Sequence, residues 1–397
     1  MKKKPPLSMF EAKQFKAIRD SGKVKFGWLT CLIGDNGVGK SSLIEALETF
    51  RDIVVDDLDS AMIRWKGFEH VWNKSPERTA KEIEPGQFRR SHPMQFSFAW
   101  DWAGDSFRGE QFIAAENGFN NIAIYREKLT SKINRLTEIW TRHDDGRCSR
   151  AKHGGPTESH EELSKIMRVR KLEPGESLFE IHELADWQFL SMNADAMGNP
   201  VPQRRASSRV RLNRDGSNVA AYLNEIRELD LNAFDGILQS LSYVLPYATD
   251  LQPKMTSELE RAVYLNLKES DFEVPGWLLS SGTLRFVALL ACLRHPNPPP
   301  LLVIEEIENG LDPRTLALLV EEFRAAGETG ATQIVLTTHS PYLLDLLDLS
   351  HLIVVEREDG EPRFNRPDEK ALESWANDFS PGRLYTMGRL AKRDGNK

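Results

Sequence analysis

Short apolar runs alternate with helix-period stripes near both ends of the chain, and each run stops at a cluster of polar residues. Trp28 to Ile33 is one such run, and Leu43, Ile44 and Leu47 after it share one helical face. Pro298-Pro299-Pro300 precede Leu301-Leu302-Val303-Ile304, a continuous apolar stretch that predicts a strand buried on both faces of a parallel sheet. Asp312-Pro313 then offers a cap acceptor and a first-turn proline, and Leu316, Leu319, Val320 and Phe323 stand at i, i+3, i+4 and i+7. Gln333 to Leu336 and Leu352 to Val355 predict further strands, with a helix opened by Ser340-Pro341 and running through Leu347 between them. This alternation predicts an α/β fold with a mostly parallel sheet. Leu284 to Leu293 predicts an apolar helix. In the middle of the chain Met94 to Trp102 alternates as a strand of an antiparallel lobe, and Ile122 to Trp140 predicts an amphipathic helix. Asp144 to Gly155, rich in charge and glycine, predicts a mobile loop.

The polar clusters at the run ends carry chemistry. Gly34-Asp35-Asn36-Gly37-Val38-Gly39-Lys40-Ser41 fits GxxxxGK[ST] between a predicted strand and a predicted helix. Glycines there let several N–H groups point at a polyphosphate, Lys40 reaches the β- and γ-phosphates, and the Ser41 hydroxyl can join Mg²⁺. The expected cradle is Asn36, Gly37, Val38, Gly39, Lys40, Ser41 and Ser42. Glu305 and Glu306 emerge at the carboxyl end of the buried strand, where open α/β sheets hold ligands. The first acid is placed to hold Mg²⁺ and the second to orient or deprotonate water; taken alone, the pair reads equally well as a charged strand end. Leu279-Ser280-Ser281-Gly282-Thr283 opens the apolar helix, so its amides and the Ser280 hydroxyl could bind phosphate.

In this order, cradle, LSxG signature, acidic strand end and Thr337-Thr338-His339, the chain resembles the ABC-type ATPase heads of SMC, RecF and OLD proteins. In pattern it is most similar to stand-alone AAA-labelled bacterial ATPases of antiphage defence and DNA-repair operons. The strand pair from Phe15-Lys16-Ala17-Ile18 and the segment Asp215-Gly216-Ser217-Asn218-Val219-Ala220 are similar to family segments as well. The resemblance implies a P-loop NTPase fold of ABC/SMC type: a mostly parallel sheet, an antiparallel lobe and a mainly helical insertion. The head would comprise residues 1–130 and 215–397, and the insertion or lid 131–214. It implies ATP and Mg²⁺ as cofactors, with Lys40 and Ser41 on phosphate and metal, Glu305 in the metal-binding position and Glu306 as general base. Ser280 and Gly282 would touch the γ-phosphate across a head-to-tail homodimer or within a higher even oligomer, Asp312 would lie in the D-loop, and His339 would sense the γ-phosphate. Gln95 would be the Q-loop residue near the metal. Glu305 is one methylene longer than the usual aspartate, the signature reads LSSGT instead of LSGGQ, and Ile307 stands where relatives carry proline. These departures imply slow turnover.

The implied function is an ATP-binding and ATP-hydrolysing dimerising switch that acts with a separate effector, a nuclease or toxin, in antiphage defence or DNA maintenance. An ATP-binding scaffold with little hydrolysis and a RecF-type repair ATPase stay open beside it. A transporter subunit fits less well, because Lys40 and Ser280 are far apart in sequence. An OLD-type nuclease is not expected either, since the stretch after His339 is too short for a Toprim domain. Asp57-Leu58-Asp59 reads as an exposed acidic turn instead of a metal site.

Net charge of −7 and a pI near 5.8 do not mark a general nucleic-acid binder. Arg204, Arg205, Arg209, Arg211 and Arg214 nevertheless crowd one stretch that could hold nucleic-acid phosphates or an acidic partner; a solvated loop fits it equally. Three scattered cysteines argue against a disulfide framework and for a reducing cytoplasm. His143, Cys148, His153 and His160 match no closed zinc spacing. Met1-Lys2-Lys3-Lys4 followed by prolines predicts no secretory leader, and no run reaches the ~18 apolar residues of a membrane span.

Overall fold

The computed structural model describes residues 4–74, 92–102, 104–116, 121–133, 136–143, 148–152, 157–160, 182–202, 210–257, 259–376 and 378–390. The chain forms two compact units: Met1–Gly27, Leu32–Trp187 and Ile353–Arg366 in one, and Trp28–Cys31, Gln188–Leu352 and Pro367–Lys397 in the other. Residues 131–214, expected as an insertion, thus contribute to both.

In the first unit an antiparallel sheet runs in the order Thr157–His160, Cys148–Lys152, Leu136–Arg142, Asn121–Ile133, Asp105–Glu116, Met94–Trp102, Leu7–Phe15, Ile18–Asp20. Met94–Trp102 is the expected strand, and Met94, Phe96, Phe98 and Trp100 all bury their side chains at period two. The helix Lys40–Val55 packs there through Phe50, whose ring lies 4.9 Å from Phe98 and 5.9 Å from Phe10. Burying a phenylalanine of this kind contributes roughly 1.5–3 kcal/mol, so the helix is anchored at its middle while its N-terminus carries the glycine-rich turn.

That helix also buries charge. Glu48 accepts from Arg64 at 2.7 Å, and Asp52 from the same guanidinium at 3.1 Å. Burial pushes the Glu48 carboxyl above its ordinary value, with Arg64 and Arg51 opposing the rise. Removing one member of such a cluster leaves an uncompensated buried charge, so Arg64→Met is expected to cost about 2–4 kcal/mol in denaturant unfolding. A carboxyl with a raised folded-state pKa favours the fold below its unfolded pKa and loses that contribution as pH rises through the folded value. The Arg64→Met deficit should therefore grow as pH rises past the raised folded-state value of Glu48, and a deficit flat with pH would refute the buried charge cluster.

The stretch Ile122–Trp140 is not a helix. Asn121–Ile133 and Leu136–Arg142 are two antiparallel strands, pairing Leu129 with Trp140 and Thr130 with Ile139. Glu127, Leu129 and Ser131 are buried while Lys128 and Lys132 are exposed, which is a two-residue period. The apolar positions also satisfy helical spacing, but β-branched residues (Ile122, Ile124, Thr130, Thr137, Ile139) favour the pleated surface and cross-strand pairing decides the outcome. The insertion is accordingly not mainly helical where it is described: strands dominate, and its helices, His182–Ala185 and Ala194–Met197, have four residues each. Within the expected loop Asp144–Gly155, Cys148–Lys152 is a strand, and the remainder lies outside the described residues.

The second unit is built on parallel strands. Gln188–Leu190 pairs with Leu301–Ile304, which pairs with Gln333–Thr338 in the register Leu301 to Gln333 through Ile304 to Leu336. Ile334 donates to the Trp28 carbonyl at 2.7 Å, adding the Trp28–Cys31 end of the strand Leu29–Ile33. That strand continues into the first unit and delivers the chain to the glycine-rich turn; there Leu352–Glu358 pairs antiparallel with Glu361–Asn365. Every residue of Leu301–Ile304 is fully buried, as a strand covered on both faces requires. The helix Pro313–Thr329 buries Leu316, Leu319, Val320 and Phe323, the expected stripe, and ends at Gly330 with φ of 69°. The helix Ser281–Arg294 is buried almost all round from Leu284 to Cys292. A smaller sheet of Ala248–Met255, Ala262–Glu269, Phe272–Pro275 and Val201–Pro202 lies in the same unit. No helix among the described residues is long and apolar enough to cross a membrane.

Candidate functional site

The glycine-rich turn links the strand Leu29–Ile33 to the helix Lys40–Val55. Gly37 and Gly39 take φ of 76° and 116°, backbone that side-chain-bearing residues rarely adopt, and this is what aims successive amides inward. A Cβ on Gly34 would lie 2.2 Å from the Val355 carbonyl oxygen, so this turn also needs glycine for close approach to a strand. The helix N-terminus has no side-chain cap and no acid in its first turn, leaving its amides and dipole for an anion. Lys40 is 6% exposed and lays its Nζ against the Gly34 and Asp35 carbonyls at 2.6 and 2.9 Å. Ser41 is exposed and Ser42 half-buried. Donors at an uncapped helix end, an ammonium and an exposed hydroxyl fit a nucleoside polyphosphate with its metal.

In the second unit the expected acids, signature and histidine converge on one turn. Glu305 leaves the strand Leu301–Ile304 with its amide on the Leu190 carbonyl, and its carboxylate meets Arg214 at 2.5 Å. Glu306 follows with φ of 50°, a left-handed backbone that costs a non-glycine residue about 1–2 kcal/mol. Two contacts hold it there: its amide donates to the Thr337 hydroxyl at 2.9 Å, and its Oε2 accepts from Asn309 at 2.5 Å. The His339 amide donates to Glu308 at 2.6 Å, which ties the end of Gln333–Thr338 to the acidic turn. Asp312 caps its helix, accepting from the Arg314 and Thr315 amides and the Thr315 hydroxyl, and that hydroxyl above all holds its carboxyl below the ordinary value.

Ser280 caps the signature helix through the Thr283 amide at 3.1 Å and remains exposed. A Cβ at Gly282 would lie 2.3 Å from the Gly310 carbonyl oxygen, so backbone meets backbone between this helix and the acidic turn. Gln95 belongs to the first unit, inside the strand Met94–Trp102, half-buried and donating to Ser97 at 3.2 Å. Of the arginine cluster, Arg204, Arg205 and Arg209 lie outside the described residues, Arg211 is exposed, and Arg214 is committed to Glu305 instead of to solvent. Asp57 caps the helix Leu58–Ile63, and no group of metal-ligating side chains stands together among the described residues.

Several contacts had no local signal in the sequence. Arg357 donates to the Gly37 carbonyl at 3.1 Å, bringing a cation to the cradle from a strand 320 positions away. Arg214, Thr337, Asn309 and Glu308 reach their partners through the tertiary fold, apart from the short Asn309–Glu306 step. Asn309 alone could have been suspected, three residues beyond a candidate base on a turn.

Residues 29–345 match the family model described as "AAA domain, putative AbiEii toxin, Type IV TA system". A search of curated proteins finds no match. Among solved structures, an SMC head bound to the C-winged helix domain of ScpA is similar at 14% identity and a TM-score of 0.49, over 93% of this chain and 100% of that one. The SMC head domain from Thermotoga maritima shows 15% identity and a TM-score of 0.40, over 91% and 98%. An SMC head with an extended coiled coil, bound to the C-terminal domain of ScpA and derived from Pyrococcus furiosus, shows 12% and 0.48, over 94% and 99%. Likeness at this distance assigns this chain neither an activity nor a partner.

Proposed function

Since the chain belongs to this AAA domain family and is a P-loop ATPase of it, we propose that it works as an ATP-driven dimerising switch with a separate effector in antiphage defence or DNA maintenance. The observation that carries the reading is the cradle: positive-φ glycines at an uncapped helix N-terminus, with Lys40 drawn over its carbonyls. In this reading Asn36, Val38, Ser42 and the cradle amides bind the phosphates, and Lys40 neutralises them. Ser41 would hold Mg²⁺ at the cradle, where the ion would supply further charge neutralisation at the phosphates, and within the second unit Glu305 is the carboxylate assigned to metal. Glu306 holds the attacking water and takes its proton. The exposed Ser280 and the amides of its helix N-terminus offer an anion site to the nucleotide of a second copy. The family's description, "AAA domain, putative AbiEii toxin, Type IV TA system", supports a defence role for the proposed switch.

Sedimentation velocity tests the dimer. The purified chain should double its mass with Mg-ATP and return to the smaller species with Mg-ADP; a mass indifferent to nucleotide at saturation would refute the switch. The ion pair between Arg214 and Glu305 supports a second reading, a nucleotide-binding scaffold with little hydrolysis, because it occupies the carboxylate expected on the metal. Phosphate release from Mg-ATP separates the two.

A further inference from the structure

The signature helix and the proposed general base are joined by side chains to which the motifs assign no role. Arg285, in the first turns of Ser281–Arg294, donates to the Asn309 carbonyl at 2.9 Å and to the Met192 carbonyl at 2.8 Å. Asn309 in turn donates from its side chain to Glu306 Oε2 at 2.5 Å, and its amide reaches the Glu306 carbonyl at 3.1 Å. The guanidinium therefore spends its forked donors on two carbonyls and none on a carboxylate, a geometry suited to fixing a turn. The Gly282 approach to the Gly310 oxygen presses the same helix on the same turn independently. Burial holds the Arg285 pKa below its ordinary value, while the nearby Glu306 charge opposes that fall.

We propose that Arg285 and Asn309 are positioning residues that set the Glu306 carboxylate from the signature helix. The inference rests on the ATPase reading above and deepens it: movement at the Ser280 end of the helix reaches the base through Arg285, Asn309 and the turn. Engagement of one site would then be felt at the chemical step of the other. A loosened base should slow chemistry without weakening nucleotide, since misplacement of about 1 Å can cost about 10²-fold in rate.

The test is a double-mutant cycle on the full chain. Arg285→Gln and Asn309→Ala should each lower kcat about 10- to 100-fold, leave the affinity for a fluorescent ATP analogue within about twofold, and shift the pH profile of hydrolysis. Arg285→Lys, which can keep one carbonyl contact, should fall between. In the Glu306→Gln background neither change should cost more, because the group they position is already gone. Should Arg285→Gln fail to fold, Asn309→Ala decides, as it cuts the same link and leaves the guanidinium in place. Wild-type kcat in Asn309→Ala, or full additivity with Glu306→Gln, overturns the proposal. Absence of hydrolysis in the unmodified chain would instead overturn the ATPase reading, so the two failures are distinguishable.

Discussion

Glu306→Gln should retain nucleotide and lose turnover: phosphate release is expected to fall about 10²- to 10⁴-fold, the range a general base contributes, with ATP affinity within about twofold of the parent. The substitution is close to isosteric, and the glutamine oxygen can still accept from Asn309. The left-handed backbone at this position, held by the Thr337 hydroxyl, should survive as well. What disappears is the ability to take a proton. Single-turnover phosphate release measured beside analogue binding reads the separation directly, and wild-type hydrolysis by the variant would remove Glu306 from its role. The same protein should accumulate as the ATP-bound dimer, which makes it the form in which to look for an effector.

Lys40→Met should act on the other half of the cycle. Its ammonium is nearly enclosed and lies against two carbonyls of the turn, so it is already pointed inward when phosphate arrives. Charge-assisted hydrogen bonds are worth about 1.5–3 kcal/mol each. Loss of two phosphate contacts therefore predicts ATP affinity lower by about 10²- to 10⁴-fold, read by analogue titration. Methionine keeps the apolar stem buried, and stability should fall by about 1.5–3 kcal/mol for each ammonium–carbonyl contact that goes, offset in part because the ammonium no longer has to be buried. If the variant binds ATP as the parent does, the cradle is not the nucleotide site.

The parts of the fold legible in the sequence are those whose cause is local. A turn needing positive φ shows as glycine, as at Gly37 and Gly39. A strand buried on both faces shows as Leu301 to Ile304 without interruption, and a half-buried helix shows as the stripe from Leu316 to Phe323. The antiparallel extension was not legible for the opposite reason. Ile122, Tyr125, Leu129 and Trp140 satisfy the helical period by coincidence, and only pairing with neighbouring strands selects the two-residue period. The candidate site divides along the same line. Its motif residues could be named from the chain, whereas what grips them could not. Arg214 meets Glu305 across 91 positions and Thr337 meets Glu306 across 31, distances at which no periodicity carries information.

The facing glycines at 282 and 310 have a mechanical consequence. Gly282 sets bare backbone against the Gly310 carbonyl oxygen while the Ser281 side chain faces Gly310, so any larger residue at 282 would prise the helix start away from the acidic loop.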